Sequence, residues 1–313
     1  TLRGFSPVHH PSKADWVLID AASREHLRRP AAGERALLLD VRDFPAEGEN
    51  SASALIVAAY RKGWKDVLSF DWRGQRFCGC GLGPCSEGFR MDVFGNAGDY
   101  LASGLDGAEI YLHASAQDQV AQIMKSGRLV IYGDVGQTFM YAAKGGEVFV
   151  LGNAAGRPLI NAAGKPRVII NGSCLDYLAE SFMAGDPLKG GGFVVLNGIG
   201  FDHEGRLQEP STPYPGGNLF SLASGGAIYL RDPHRKVGED QLNGGKFTNL
   251  SQEDWNLIRP YLEQNERLFG IRLLEDLLRR HESRVEWSQA YRKIEAVQLK
   301  ALTTERPNND ATT

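Results

Sequence analysis

Three of the four cysteines crowd into Cys78-Gly79-Cys80-Gly81-Leu82-Gly83-Pro84-Cys85, and the fourth, Cys174, lies far along the chain. Thiolates this close together are able to hold zinc or an iron–sulfur cluster. The spacing C-x-C-x4-C contains no C-x2-C pair, however, and fits no familiar metal pattern. If the segment is a strand, Cys80 faces away from its near neighbours. The alternative, which we favour, is that these cysteines pack as small hydrophobes at a glycine-rich corner. Cys78, Cys80 and Cys85 remain the metal candidates. His203 and His234 lie in loops beside acidic residues, where a lone histidine is normally solvated. Asp99, Asp106, Asp118 and Asp176 fall near turns, where aspartate bonds to backbone. There is no G-x-S-x-G elbow, phosphate-binding G-x4-G-K-[ST] loop or H-E-x-x-H pair. Gly79-Cys80-Gly81-Leu82-Gly83 lacks the spacing and following helix of a dinucleotide fingerprint. No residue is assigned a catalytic role.

What must position these residues is a repeat. From Val93 to Gly198 the chain runs through imperfect copies of one unit, with a period of about twenty residues. Gly95, Gly133, Gly152 and Gly172 hold a first turn. Gly107, Gly127, Gly146, Gly164 and Gly192 hold a second, and Gly98, Gly136 and Gly156 follow the first at short range. Short apolar runs recur in register: Ile110-Tyr111-Leu112, Leu129-Val130-Ile131, Val148-Phe149-Val150 and Val168-Ile169-Ile170. The pattern predicts a solenoid whose units bury their apolar faces by stacking. Its glycines are expected to supply positive φ and close backbone approach. Asn96, Asp134, Asn153 and Ser173 are expected to form an internal hydrogen-bonded column along one turn. Met124, Met140 and Met183 are expected as core fillers.

The predicted fold is mainly β: a right-handed, single-stranded parallel β-helix over 91–235, with a small α/β cap at 1–90. A helical extension follows over 236–302, then a disordered tail at 303–313. In the cap, Trp16–Asp20, Ala36–Val41, Asp66–Trp72 and Arg76–Cys78 read as strands, and Asn50 or Ser51 caps a helix over Ala52–Trp64. Residues 201–218 read as an irregular insertion. Ser251–Asp254 reads as a capping box ahead of a helix through Phe269 that Pro260 should kink or split. Ile271–His281 reads as a second amphipathic helix, and Tyr291–Ile294 as a returning strand. The chain has 313 residues, a net charge of −3 and scattered basic residues, which argues against a nucleic-acid partner. No apolar run approaches a bilayer span, so no membrane role is expected. The cysteine usage and the opening residues point to the cytoplasm.

Units such as Gly95-Asn96-Ala97-Gly98-Asp99, Gly133-Asp134-Val135-Gly136-Gln137 and Gly152-Asn153-Ala154-Ala155-Gly156, alternating with Gly145-Gly146, resemble the GXGXG domain. That domain ends the large subunit of glutamate synthase, occurs as a free-standing subunit, and recurs more distantly in one of the subunits of formylmethanofuran dehydrogenase. The resemblance covers about residues 36–232, and Trp255–Gly270 looks like the end of free-standing members. It implies a right-handed parallel β-helix that holds other parts together and borders a substrate passage. It also implies partner subunits: a glutamine amidotransferase and a synthase carrying FMN and iron–sulfur clusters, with no cofactor in this chain. His113-Ala114-Ser115-Ala116 departs from the glycine turn, and the cysteine cluster is denser than in the family. A complex with another substrate, a platform in a formylmethanofuran dehydrogenase or formyltransferase-type complex and a stand-alone binding solenoid are the alternatives.

Overall fold

The chain is described by a computed structural model covering residues 16–281 and 283–297. The expected tail at 303–313 lies outside the described residues, as do the first 15 positions of the expected cap. The architecture is mainly β. Strands β1 (Trp16–Ile19) and β2 (Ala36–Asp40) come first, followed by helix α1 (Ala52–Arg61) and β3 (Asp66–Arg73). One strand per repeat follows: β4 (Arg90–Asn96), β5 (Glu109–Leu112), β6 (Arg128–Ile131), β7 (Glu147–Val150), β8 (Arg167–Ile170) and β9 (Phe193–Leu196). A two-residue hairpin, β10 (Gly200–Phe201) and β11 (Leu207–Gln208), projects before β12 (Ala227–Arg231) and β13 (Gly245–Thr248). Helix α2 (Gln252–Phe269), a second small hairpin of β14 (Arg279–Arg280) and β15 (Ser283–Arg284), the short helix α3 (Trp287–Ala290) and β16 (Tyr291–Ala296) complete the chain.

One open sheet of twelve strands runs through the molecule in the order β1 to β9, then β12, β16 and β13. All pairings from β1 to β12 are parallel, and β16 pairs antiparallel with both β12 and β13. The predicted apolar runs are these strands, in the predicted register. Each of β5 to β8 opens on a charged residue and continues with three buried ones. Such apolar runs are what a parallel sheet covered on both faces requires. The opening charges pair across the strands with alternating sign: Asp66, Arg90, Glu109, Arg128, Glu147 and Arg167. Opposite charges on neighbouring strands are favourable, and a slipped register destroys the match.

Between strands the coils stack through further isolated parallel bridges. One series joins Ala97, Ala116, Val135, Ala154 and Cys174, and another joins Ala163, Met183 and Gly225. The core lies between the sheet and these segments, and Leu37, Val93, Ile110, Val148, Ile228, Met124 and Met140 are buried in it. Met183 is not a core filler: it is 51% exposed, because it sits in a bridge with its side chain outside the stack. The turn column forms as predicted, but on an exposed corner rather than internally. The Asn96, Ser115, Asp134 and Asn153 side chains each accept from the backbone N–H at the matching place in the next coil, at 2.6–3.2 Å.

The glycines divide by cause. Gly127 has φ +93°, and a Cβ there would lie 2.3 Å from Ala108 O. Gly152 needs no positive φ; a Cβ there would strike the Asp134 carboxylate at 2.2 Å, so its absence makes room for the turn column.

Ser51 caps α1 by accepting from Ala54 N. Arg76–Cys78 forms no strand, because Phe77 is left-handed at φ +61°. Pro260 does not split α2. It lies on the exposed face, where solvent can satisfy the carbonyl its ring deprives of a donor. Of the expected helix over Ile271–His281 only Leu273–Leu277 is helical, as one wide π turn that leads into β14. Leu273, Leu277 and Leu278 are nonetheless buried. The returning strand is present as β16.

Candidate functional site

The residue after each registered strand position stands on the sheet's outer face, opposite the core. Phe94, His113, Tyr132, Leu151, Asn171, Asn197 and Arg231 therefore make one column, following Val93, Leu112, Ile131, Val150, Ile170, Leu196 and Leu230. The candidate site is the end of that column marked by Phe94, His113 and Tyr132.

There the His113 ring is sandwiched in parallel between Phe94 at 4.2 Å and Tyr132 at 5.0 Å, and the edge of Tyr132 meets Phe269 of α2. His113 Nε2 lies 2.8 Å from Asp92 Oδ1, and the other Asp92 oxygen accepts from Arg90 Nε at 3.1 Å. Burial works against the charged form of Asp92, but His113 and then Arg90 outweigh it and hold the carboxyl below its usual range. Arg90 also lies over the Tyr111 ring at 4.2 Å, and Tyr111 donates to Glu109 at 2.9 Å. Burial, then Glu109, pushes the Tyr111 hydroxyl up. The result is an oriented histidine–carboxylate pair between stacked rings, able to present a hydrogen-bonded, partly desolvated surface.

At the other end the column anchors the C-terminal elements. Asn171 and Asn265 of α2 exchange amide hydrogen bonds at 2.8 and 2.9 Å. Asn197 donates to Asn171 at 2.8 Å, and Tyr291 OH donates to Asn197 at 2.8 Å. All four residues are buried. Arg231, also buried, donates to the carbonyls of Leu277 and Arg279 and pairs with Glu209. His234 lies 3.0 Å from the second Glu209 oxygen and 4.5 Å from the His281 ring. Burial opposes ionisation of Glu209, but Arg231 and then His234 hold its carboxyl below the usual value. His234 is thus engaged rather than solvated, whereas His203 is exposed beside Glu204.

The cysteines do not gather. Cys78 and Cys174 are buried, Cys80 is half-buried and Cys85 is exposed. The Cys80 thiol donates to Tyr100 O at 2.8 Å, and burial pushes it up to about 12. Among the described residues no three His, Cys, Asp or Glu side chains form a group that could hold a metal ion. Of the turn aspartates, Asp99, Asp118 and Asp176 each accept from a backbone N–H, and Asp106 accepts from Ser126. No sequence motif marks Asp92, Tyr132, Asn171, Asn197 or Arg231. The signal was the repeat itself, since Phe94, His113 and Tyr132 stand nineteen residues apart.

A glycine-cornered repeat with a side-chain ladder on one large, mostly parallel sheet defines a mainly β repeat protein. More specifically, the chain belongs to the GXGXG motif family, which it matches over residues 51–294. It is also 24% identical, over 199 residues, to the ferredoxin-dependent glutamate synthase 2 of Synechocystis sp.. That stretch is 62% of this chain and 12% of the relative, so the chain spans a small part of that protein's length. Among the described residues no helix is long and apolar enough to cross a membrane.

Proposed function

We propose that this chain is the scaffold subunit of a glutamate-synthase-like oxidoreductase complex. Its stack is a right-handed parallel β-helix over about residues 91–235. It holds an amidotransferase subunit and a subunit with FMN and iron–sulfur clusters, and borders the passage between them. The observation that carries this reading is the GXGXG match, which runs through α2 into β16, together with the likeness to a glutamate synthase. Two physical features support it. The bridges at Ala97–Cys174 and Ala163–Gly225 stack the coils outside the main sheet, as a β-helix requires. Several carboxylates are committed to structure: Asp118 and Asp134 to neighbouring coils, and Asp254 to Tyr229 and Lys293.

The test is affinity capture of the full chain from its native host under anaerobic conditions. Recovery of a flavin/iron–sulfur protein together with an amidotransferase is the expected result. Recovery of the chain alone, or with a molybdenum or tungsten protein, would overturn it. Elemental analysis of the isolated chain checks the cysteines separately: iron or zinc in fixed ratio would give Cys78, Cys80 and Cys85 a metal role.

A further inference from the structure

The coils carry a second charge ladder, on the corner that leads into the strands. Lys125, Lys144 and Lys165 stand just before β6, β7 and β8, and all three are exposed. They are neighbours in the stack. Lys125 N donates to Leu105 O at 2.9 Å, Lys144 N to Met124 O at 2.7 Å and Lys165 N to Lys144 O at 3.1 Å. Lys189, in the enlarged turn before β9, faces Lys144 and Lys165 across a groove that Met183, Gly185 and Gly190 also line. Lys125 reaches Asp106 and Lys189 reaches Asp186, each at 3.7 Å and on the surface. Lys144 and Lys165 have no hydrogen bond or ion pair among the described residues. The corner thus sets four positive charges against two negative ones, on a chain whose net charge is −3.

The ladder that opens the strands, a few residues further on, alternates in sign from Asp66 to Arg167 and neutralises itself. The corner ladder repeats one sign on coils stacked about 4.8 Å apart, where like charges repel. The same coils therefore satisfy one ladder internally and leave the other short of counter-charge. Gly164, Gly185 and Gly190 are exposed at this corner and carry no side chain, so another chain can approach the coil backbone there. Met183 is 51% exposed in the groove, and Leu188, beside Lys189, is 44% exposed. Apolar contacts inside a charged rim are the anatomy of a protein–protein contact.

We propose that this groove docks an acidic segment of a partner protein, with carboxylates on Lys144 and Lys165 and an apolar side chain on Met183. Charge complementarity selects the occupant. The two exposed apolar side chains suit a peptide rather than a nucleic-acid backbone, which the negative charge of the whole chain repels. The inference does not rest on the scaffold reading.

Fluorescence anisotropy tests it, using the full chain at low ionic strength and a rhodamine-labelled octapeptide of six glutamates with leucine at its third and sixth positions. Saturable binding is expected, weakening as salt is added. Reversing both unpaired charges in a Lys144→Glu/Lys165→Glu variant should weaken it about fivefold or more. Met183→Ser should weaken it several-fold. The charge-reversed variant should melt no lower than the parent, because the reversal relieves the repulsion along the ladder. No saturable binding, binding unchanged in that variant, or equal binding of the peptide with lysine in place of glutamate would each overturn the proposal. Tighter binding of an eight-nucleotide oligothymidine, or a lower melting temperature in the charge-reversed variant, would overturn it as well.

Discussion

At Asn171, Asn197 and Arg231 the outer column is buried and hydrogen-bonded to α2, β16 and the turn before β14. At Phe94 and His113 no helix among the described residues covers the same column, and the rings stack on one another across neighbouring strands. The coils beneath are alike; only the cover differs. The covered half uses amides and one arginine, each tied to a partner far away in sequence. The open half uses rings stacked on their neighbours one coil away. A repeat can therefore carry a fixed shape while one column on it changes from anchor to surface. Leu18, at the far uncovered end of the outer face, is 55% exposed, whereas Tyr229 at the covered end is fully buried.

If the coils are the common support, breaking one should bring down both halves together. Gly127→Val adds a Cβ 2.3 Å from a backbone oxygen at a φ of +93°, and neither fault can be relieved by a side-chain rotation. We expect a loss above about 4 kcal/mol, seen as insoluble or unfolded protein by circular dichroism. Arg231→Met acts on the covered half alone. It leaves the carbonyls of Leu277 and Arg279 without their donor and Glu209 with His234 alone, and should cost about 2–4 kcal/mol in chemical denaturation. Asn171→Leu leaves the buried Asn265 amide without its side-chain partner and Asn197 with Tyr291 alone, and should cost about 2–4 kcal/mol. Hydrogen exchange in both variants should show α2 and β16 opening while β4 to β6 stay protected. Equal loss of protection in β4 would mean that the two halves are not separable.

This division was only partly legible in the sequence. Glycines and apolar triplets at a fixed period reveal coils, strands and register, because stacking demands the same residue type at the same place in each unit. The Ser251–Asp254 box and the stripe from Trp255 to Leu268 likewise predict α2. Outward columns follow no such demand. His113 looks like a lapse in the glycine turn until Phe94 and Tyr132 are seen above and below it. Asn171 and Asn265 are ninety-four residues apart, and nothing local marks either as buried. The stretch Ile271–His281 misleads for a related reason: Leu273, Leu277 and Leu278 are buried as a helix stripe would be, but by a single wide turn, and Leu274 is exposed.

The open half should show its character in acid. Asp92 is held below its usual value by His113 and Arg90, so its ionisation stabilises the folded chain above the unfolded carboxyl pKa. That contribution is lost as pH falls through the lower folded value. Between about pH 5 and pH 2 the parent should lose more stability than Asp92→Asn, by at most about 1 kcal/mol for this partly solvated pair. His113→Phe keeps the stack and should reduce the acid sensitivity in the same direction. Parallel pH profiles for parent and both variants would remove the pair as a titrating unit.

The smallest effect tests whether the two halves differ only in their cover. Away from the sheet each coil carries left-handed non-glycine residues, and Ile123 and Leu222 occupy matching places at φ 51° and 53°. Ile123 belongs to the coil of His113, and Leu222 to the coil that leads into β12. Both are exposed, at 46% and 63%, and each backbone N–H bonds to another coil. A left-handed L-residue costs roughly 1–2 kcal/mol, more for a β-branched one, while glycine adds back about 0.5–1 kcal/mol of unfolded-state entropy. Ile123→Gly and Leu222→Gly should therefore each stabilise by a few tenths of a kcal/mol to about 1 kcal/mol, with Ile123 gaining the more. The sign should be the same in both halves, because these residues lie on the coils away from the sheet face that α2 covers. If Leu222→Gly destabilises where Ile123→Gly stabilises, the far coils differ from the near ones in more than their cover, and the C-terminal elements are shaping the stack as well as resting on it.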